Sequence, residues 1–283
     1  MLLIIGYIIV LFASIGTYAM HGNLMALWVP IEYVAIFGLM VGGFIAGNSS
    51  ITIKATLAAL SGSLKGPQYS KAFYMSLLGL LFELLSKVRK EGLMAIEADL
   101  DHPESSPVFS KYPEIMADEH AVEFMVDYLR MMVGGTLNAN EIESLMDIEI
   151  ETHHKETHAP ANAMTKIGDA LPAFGIVVAV MGVVNVMGSV GEPPVVLGKM
   201  LAGALVGTFL GILLSYGFVQ PLAGQLEQRA ERGNKLFECI KVVLLASMNG
   251  YAPQVAVEFG RKTLYSSDRP GFVELEDDLR DRR

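Results

Sequence analysis

Three histidines lie close enough together in this sequence to suggest metal chemistry. His153, His154 and His158 occur in the segment ETHHKETHAP, at spacings that can bring imidazoles together on a helix. A zinc protease motif would also need a glutamate in an HExxH frame, and this segment has none. The cluster lies among acidic residues and just before Pro160, which is typical of a hydrated helix end. We therefore expect no metal here.

Two hydroxyl residues in a long apolar segment are a second candidate for chemistry. Thr208 and Ser215 share a helix face with Ala204 and Gly211, and such a face could line a narrow wet path. A lone hydroxyl in a membrane helix more often bonds its own backbone. The apolar segments carry no carboxylate, lysine, arginine or histidine at mid-depth, although ion translocation normally requires one. If this protein moves ions, a partner must supply the acid.

No enzyme signature accompanies these residues. The sequence has no nucleophile elbow, phosphate-binding loop or dinucleotide-binding fingerprint, so we expect a protein that is not an enzyme and has no cofactor. A net charge of −9 argues against a nucleic-acid partner. Cys239 is the only cysteine, which excludes a disulfide within the chain.

Four apolar segments are long enough to cross a membrane as helices. The chain is 52% hydrophobic and only 18% charged, and a helix of about 20 residues matches the hydrocarbon core of a bilayer. The first segment lacks the basic start and the cleavage site of a signal peptide, so we interpret it as a retained helix. The expected spans are 1–20, 30–47, 171–190 and 201–220.

Basic residues indicate the orientation of the chain. Of 21 Lys and Arg, ten lie in residues 48–170 and ten in residues 221–283. The positive-inside rule places both segments, and with an even number of spans both termini, in the cytoplasm. The expected domains are a membrane hairpin (1–47), a cytoplasmic helical domain (48–170), a second hairpin (171–220) and a cytoplasmic C-terminal segment (221–283).

The cytoplasmic segments have helical patterns. Leucines spaced three or four residues apart predict a helix over 71–100, with charges on its other face. Further helices are expected at 120–134, at 139–157 before Pro160, and at 222–248. The predicted fold is an all-α integral membrane protein with four transmembrane helices, a helical cytoplasmic domain between spans two and three, and a cytoplasmic tail.

Glycines and prolines suggest how the spans pack and bend. Gly203, Gly207 and Gly211 are four residues apart, a spacing that lets membrane helices approach closely in a bundle or a homo-oligomer. Pro172 and Pro221 mark the expected cytoplasmic ends of spans three and four. Because proline removes a helix hydrogen bond, this pair could form a hinge.

Several segments resemble the MotA family of flagellar motor stator subunits. The fourth span reads ALVGTFLG (204–211) with Pro221 at the family's spacing, and GDALPAFGIVVAVMGVV (168–184) matches the third. The other matching segments are MLLIIGYIIVLF at the N-terminus, SKVRKEGLMAIEADLDHP (86–103) and MNGYAPQVAVEFGRKTLYSSDRP (248–270). The resemblance covers nearly the whole chain, in order.

This resemblance implies a channel that drives motility. Members of the family form a ring of five around a dimer of the single-span protein MotB, in the bacterial inner membrane and in contact with its lipid. MotB supplies the ion-binding aspartate and the peptidoglycan anchor. Ion flow through the complex is converted into torque on the rotor protein FliG.

The resemblance also assigns roles to individual residues. Arg89 and Glu97 match the charges that face the rotor, and Lys90 and Glu91 are adjacent candidates. On one continuous helix, Arg89 and Glu97 would be separated by a rise of about 12 Å, too far to neutralise each other.

Ion coupling is implied at five further positions. Pro172 and Pro221 match the family's coupling prolines, Thr208 matches its channel-facing threonine, and Tyr216 is a neighbouring candidate. Ala179 stands where sodium-driven relatives have a threonine. Loss of this hydroxyl removes an oxygen ligand for sodium, a hard cation, so we expect the coupling ion to be the proton.

One alternative stays open from sequence. TolQ and ExbB are proton-driven energy-transducing membrane proteins of a related class. They have three spans and a differently placed cytoplasmic domain, whereas this chain has four expected spans and the charged segment 89–97.

Overall fold

The computed structural model describes residues 2–63 and 69–281, which form helices and turns with no β-strand among them. The α-helices are α1 (Leu2–Leu11), α2 (Thr17–His21), α3 (Pro30–Gly47), α4 (Ser50–Ser63), α5 (Lys71–Glu91), α6 (Glu97–Asp101), α7 (Pro113–Met116), α8 (Glu119–Gly134), α9 (Ala139–Met187), α10 (Pro194–Leu214), α11 (Gln220–Met248), α12 (Pro253–Thr263) and α13 (Phe272–Asp281). Two π-helical turns interrupt this series, at Phe12–Gly16 and Ser215–Val219.

Four helical stretches are long and apolar enough to cross a membrane. They are Leu2–His21, Pro30–Gly47, and parts of the longer stretches Ala139–Met187 and Pro194–Met248. The expected all-α fold with four apolar spans is therefore confirmed.

The chain divides into two compact units. The first unit comprises Met1–Gly66 and Thr157–Gln228, and the second comprises Pro67–Glu156 and Arg229–Arg283. The apolar spans belong to the first unit. The second unit is built from α5 to α8, the start of α9, most of α11, and α12 and α13.

Close contact between α9 and α10 organises the first unit. A Cβ added to Gly175 would lie 2.7 Å from the Gly207 carbonyl oxygen, and one added to Gly211 would lie 2.6 Å from the Leu171 carbonyl oxygen. The two helices thus touch backbone to backbone, which only glycine permits. The outer surface of the unit is apolar and exposed, as expected for groups that face lipid or a partner; examples are Ile8, Phe12, Ile31, Val34 and Val184.

A conventional hydrophobic core holds the second unit together. Helix α5 buries the same stripe of leucines that its sequence period predicted, among them Leu77, Leu81 and Leu84. These pack in one cluster with residues of α8, α11 and α12. Ser70 and Asp118 cap the starts of α5 and α8 by accepting hydrogen bonds from the backbone amides three residues on.

The prediction that Pro160 ends a helix is wrong. Helix α9 runs without interruption from Ala139 through Pro160 and Pro172 to Met187. A proline within a helix loses one hydrogen bond, and packed surroundings can tolerate this loss. Pro160 is buried, so its ring contributes apolar contact where the hydrogen bond is missing.

The predicted helix over 71–100 is also wrong, because it is two helices. Helix α5 ends at Glu91, Gly92 adopts φ +89° and ψ 167°, and a 3₁₀ turn over Leu93–Ile96 leads into α6. The Gly92 amide still donates to the Val88 carbonyl at 2.8 Å, which completes the last turn of α5. This backbone conformation is open essentially to glycine alone, so Gly92 redirects the chain.

The other helices expected from sequence are confirmed with small shifts. The segments 120–134 and 222–248 correspond to α8 and α11. Helix α4 was not anticipated, because its apolar residues do not gather on one face among its serines, threonines and Lys54.

Candidate functional site

Four exposed charges surround a sharp bend that we call the Gly92 corner (residues 89–97). Arg89, Lys90 and Glu91 form the end of α5, and Glu97 begins α6. All four are exposed, and none forms an ion pair with another residue in 2–63 or 69–281. These charges are available to a partner.

The corner changes the expected relationship between Arg89 and Glu97. Because the chain turns at Gly92, the rise of one continuous helix does not separate them. Between them, Leu93 and Met94 are exposed, with 64% of Met94 accessible. The corner therefore presents apolar side chains between its charges, which is typical of a surface that contacts another protein.

An ion pair between half-buried Lys87 and buried Asp99 joins the two sides of the corner. Lys87 Nζ on α5 donates to Asp99 Oδ2 on α6 at 2.8 Å. Asp99 is only 3% exposed, and its other oxygen accepts a 2.6 Å hydrogen bond from the Ser106 hydroxyl. Both carboxylate oxygens are thus satisfied, which a buried carboxylate requires.

The same arrangement extends into the following loop. Ser106 Oγ accepts hydrogen bonds from the Val108 amide at 3.1 Å and the Phe109 amide at 3.3 Å. Arg130 of α8 donates to the Leu100 carbonyl at 2.7 Å. Sequence reasoning missed Asp99 and Ser106, because nothing distinguishes Asp99 from the other acids of 97–104 until the fold buries it.

The three glycines of the fourth span occupy two different environments. Gly207 and Gly211 lie at the close contact with α9, where an added Cβ would come within 2.9 Å of Val178 Cγ1 and 2.6 Å of the Leu171 oxygen, respectively. Gly203 lies away from this contact, and its nearest neighbours are the Val29 methyl groups at 3.8 Å. Only two of the three therefore serve the packing of α9 against α10 within one subunit.

The small-residue face of the fourth span is covered by the third. An added Cβ at Gly182 would lie 2.5 Å from the Ala204 methyl. Ser215 Oγ donates to the Gly168 carbonyl at 2.6 Å and is fully buried. Ala204, Gly211 and Ser215 thus form a helix contact, and Ser215 bonds another helix and not its own backbone.

The two prolines have different surroundings. Pro172 is half-buried within α9, and Pro221 is exposed at the second position of α11. The π turn Ser215–Val219 ends two residues before Pro221, and such local π adjustments can re-satisfy backbone groups that a proline frees. This turn contacts the first span, because the Tyr7 hydroxyl donates to the Phe218 carbonyl at 2.8 Å.

The remaining ion-path candidates do not converge on one point. Thr208 and Ala179 are half-buried along the α9–α10 contact, whereas Tyr216 is 66% exposed. A polar link that sequence reasoning missed joins the two helices near the prolines: Gln220 Nε2 donates to Asp169 Oδ1 at 2.6 Å.

The histidine cluster is not at a helix end, contrary to expectation. His153 and His154 lie in the middle of α9. The His153 ring lies tilted against two others, with its centroid 4.4 Å from that of Phe237 and 6.0 Å from that of His120. Burial, followed by the nearby charge of His120, lowers the pKa of His153, which disfavours the protonated imidazole.

Comparison with known families defines the class of protein. Residues 4–92 match the motility protein A N-terminal family model, and residues 117–239 match that of the MotA/TolQ/ExbB proton channel family. The chain is therefore a multi-pass membrane protein of a proton channel class, and not an enzyme.

Full-length relatives identify the family within that class. The chain is 51% identical to motility protein A of Escherichia coli and 49% identical to that of Salmonella typhimurium, in each case over 99% of this chain and 95% of the relative. It belongs to the motility protein A (MotA) family and is a stator subunit of the bacterial flagellar motor.

Two solved structures share the fold. A chain of the Campylobacter jejuni MotAB structure superposes with a TM-score of 0.76 at 19% identity, covering 95% of this chain and 98% of that one. A chain of the flagellar MotAB stator complex from Bacillus subtilis gives a TM-score of 0.72 at 23% identity, covering 99% and 98%.

Proposed function

We propose that this subunit assembles with a MotB-type partner into a proton-driven stator, as a ring of five subunits around a partner dimer in the inner membrane. The observation that carries the proposal is the absence of an ionisable side chain at mid-depth in the spans of a proton channel family member. A proton path needs such a group, so a partner supplies it. The C. jejuni and B. subtilis structures of the same fold are MotAB complexes.

Surface composition supports an oligomer in lipid. The first span has no buried residue within the subunit, and side chains such as Ile8 and Phe12 are exposed. These apolar faces suit lipid, neighbouring subunits and the partner's span. The distribution of basic residues supports a cytoplasmic location for the second unit and both termini.

The Gly92 corner is the proposed contact with the rotor protein FliG. Arg89, Lys90, Glu91 and Glu97 are exposed and leave their charges unpaired within 2–63 and 69–281. Complementary charges on the rotor would set the register of each contact and the rate of engagement more than its strength.

Coupling is proposed to run through the prolines of the third and fourth spans. Protonation of the partner's aspartate would change its contacts beside Thr208 and Tyr216, and Pro172 and Pro221 would allow the spans to bend in response. Ala179 offers no oxygen to a sodium ion. The coupling ion is therefore the proton, and no other cofactor is required.

Swimming of cells that lack their own stators tests the proposal. The chain and its partner are supplied together, and Arg89→Glu, Glu97→Lys and Pro172→Ala are compared with wild type, with and without sodium. Lys155→Glu and Glu151→Lys are matched controls, because these exposed residues form only a local ion pair at 2.7 Å.

The expected result is sodium-independent swimming that both corner reversals abolish while the ring still assembles and both controls swim. Sodium-dependent swimming would overturn the proton assignment. Full motility of Arg89→Glu and Glu97→Lys would overturn the rotor contact.

A further inference from the structure

The bridge between half-buried Lys87 and buried Asp99 joins the two charged sides of the Gly92 corner. Lys87 lies two residues before Arg89 on α5, and Asp99 lies two residues after Glu97 on α6. Their 2.8 Å ion pair therefore connects α5 and α6 across the bend, close in the chain to both Arg89 and Glu97. Gly92 itself has no heavy atom within 4 Å of a Cβ position, so side-chain packing at the bend does not hold its angle.

We propose that Lys87, Asp99 and Ser106 are positioning residues that fix the spacing between Arg89 and Glu97 so that both meet the rotor in register. The inference rests on the proposed rotor contact. None of the three touches the rotor in this scheme. Asp99 and Ser106 are each 3% exposed, so they act by holding the positions of Arg89 and Glu97.

Burial makes the bridge stiff. Asp99 is only 3% exposed, so little water reaches its carboxylate to replace Lys87, and Ser106 is itself held by two backbone amides. Ile96 and Leu100 on the same short segment are fully buried, so α6 cannot slide without exposing core. Removal of the Lys87 charge would leave the Asp99 carboxylate buried without its cation, which favours displacement of α6. Loss of the Asp99 charge would free the half-buried Lys87 side chain to turn towards water.

Distance measurement between the two sides tests the geometry. Spin labels are placed at Ser86→Cys on α5 and Ala98→Cys on α6, both accessible and uncharged, in a Cys239→Ala background. The labelled chain is co-expressed with an excess of unlabelled chain and purified with its partner. Most rings then contain one labelled subunit, so the measured distance is the one within a subunit. Lys87→Met and Asp99→Asn are expected to lose the single narrow distance peak, and Lys87→Arg to restore it.

Torque from tethered cells tests the consequence. Lys87→Met and Asp99→Asn are expected to lose torque while ring assembly and proton flux persist, which a merely structural defect would not allow. Lys111→Met is the matched control, because it removes the 2.6 Å ion pair between Lys111, in the loop after α6, and Glu83 on α5 without touching the corner. Ser106→Ala removes the hydroxyl that bonds Asp99 and the amides of Val108 and Phe109, but it leaves the Lys87–Asp99 ion pair in place. It serves as the second test if Asp99→Asn fails to accumulate.

An unchanged distance distribution in both Lys87→Met and Ser106→Ala would overturn the inference. So would a broadened distribution with wild-type torque. Failure of the proposed rotor contact can be told apart from failure of this inference. It would appear as full torque in Arg89→Glu together with the wild-type narrow distance between the two labels.

Discussion

The Ser215 hydroxyl on the fourth span donates a 2.6 Å hydrogen bond to the backbone carbonyl of Gly168 on the third. Gly168 lies four residues before Pro172, whose ring nitrogen has no hydrogen to donate back to that carbonyl. The fourth span thus supplies the donor that proline removes from the third. The proposed coupling proline is tied to the neighbouring span by this bond.

Loss of the Ser215 hydroxyl should weaken the contact between the spans. Ser215→Ala leaves the Gly168 carbonyl without its donor, and hydrogen bonds between membrane helices are worth about 0.6–1.7 kcal/mol. We expect the free energy of unfolding in detergent to fall by that amount. Ser14→Ala is the control, because Ser14 bonds the Val10 carbonyl of its own helix.

Combining Ser215→Ala with Pro172→Ala tests whether the Ser215 bond replaces the hydrogen bond that Pro172 cannot make. Alanine at position 172 restores a backbone N–H that can reach the Gly168 carbonyl. Ser215→Ala should then cost less than it does in the wild-type background. Equal costs in the two backgrounds would show that the Ser215 bond does not compensate for the proline.

Alanine at Gly211 should force the third and fourth spans apart. Its Cβ would lie 2.6 Å from the Leu171 oxygen, a backbone atom that cannot rotate away. Overpacking of this kind costs about 1–3 kcal/mol, so we expect lower thermal stability and weaker swimming. Gly203→Ala on the same helix meets only Val29 methyls at 3.8 Å and should behave like wild type.

Alanine at Gly92 should disturb the corner without touching its charges. Gly92 has φ +89° and ψ 167°, and a non-glycine residue held there costs on the order of 1–3 kcal/mol. The expected outcome is reduced torque with normal proton flux. Gly134→Ala is the control, since it ends α8 in helical conformation with open space around its Cβ position.

Stability should fall in mild acid through His153. Burial and His120 lower the pKa of His153 from 6.5, so the unfolded chain binds this proton more readily than the folded one. Neutral His153 therefore makes its full contribution to the free energy of unfolding above pH 6.5, and this contribution is lost as the pH falls below 6.5. Thermal unfolding at about pH 7.5 and about pH 5.5 should show a smaller difference in His153→Gln than in wild type.

Cys239 should resist alkylation in the native protein. It is fully buried, and burial raises the pKa of its thiol to about 12, which removes the reactive thiolate. Maleimide labelling should be slow until denaturant is added and then proceed to completion. Rapid native labelling would mean that the core around α11 opens readily.

Sequence patterns predicted the features that follow from periodicity. The four apolar spans, the buried leucines of α5 and the helices α8 and α11 all depend on the spacing of apolar residues along the chain. This spacing can be read directly from the sequence. Gly207 and Gly211 belong to the same category, because small residues four apart mark a helix contact wherever they are buried.

The errors lie where tertiary contacts outweigh local preference. Pro160 reads as a helix stop, yet burial within α9 keeps the helix intact. Gly92 has only a weak signal in a long helical pattern, yet the chain bends there and buries Ile96 and Leu100. Asp99 acquires its partners, Lys87 and Ser106, from that bend, so no linear pattern could reveal the bridge.

The π turn at Ser215–Val219 also affects how relatives should be aligned. A π turn contains one residue more than an α turn, and each residue rotates a helix by about 100°. A relative with an ordinary α turn here would be one residue shorter and would present a different face of its fourth span. Counting back from Pro221 would then pair Thr208 with a residue on another side of the helix, so homologous positions should be counted from Gly207 and Gly211 at the helix contact.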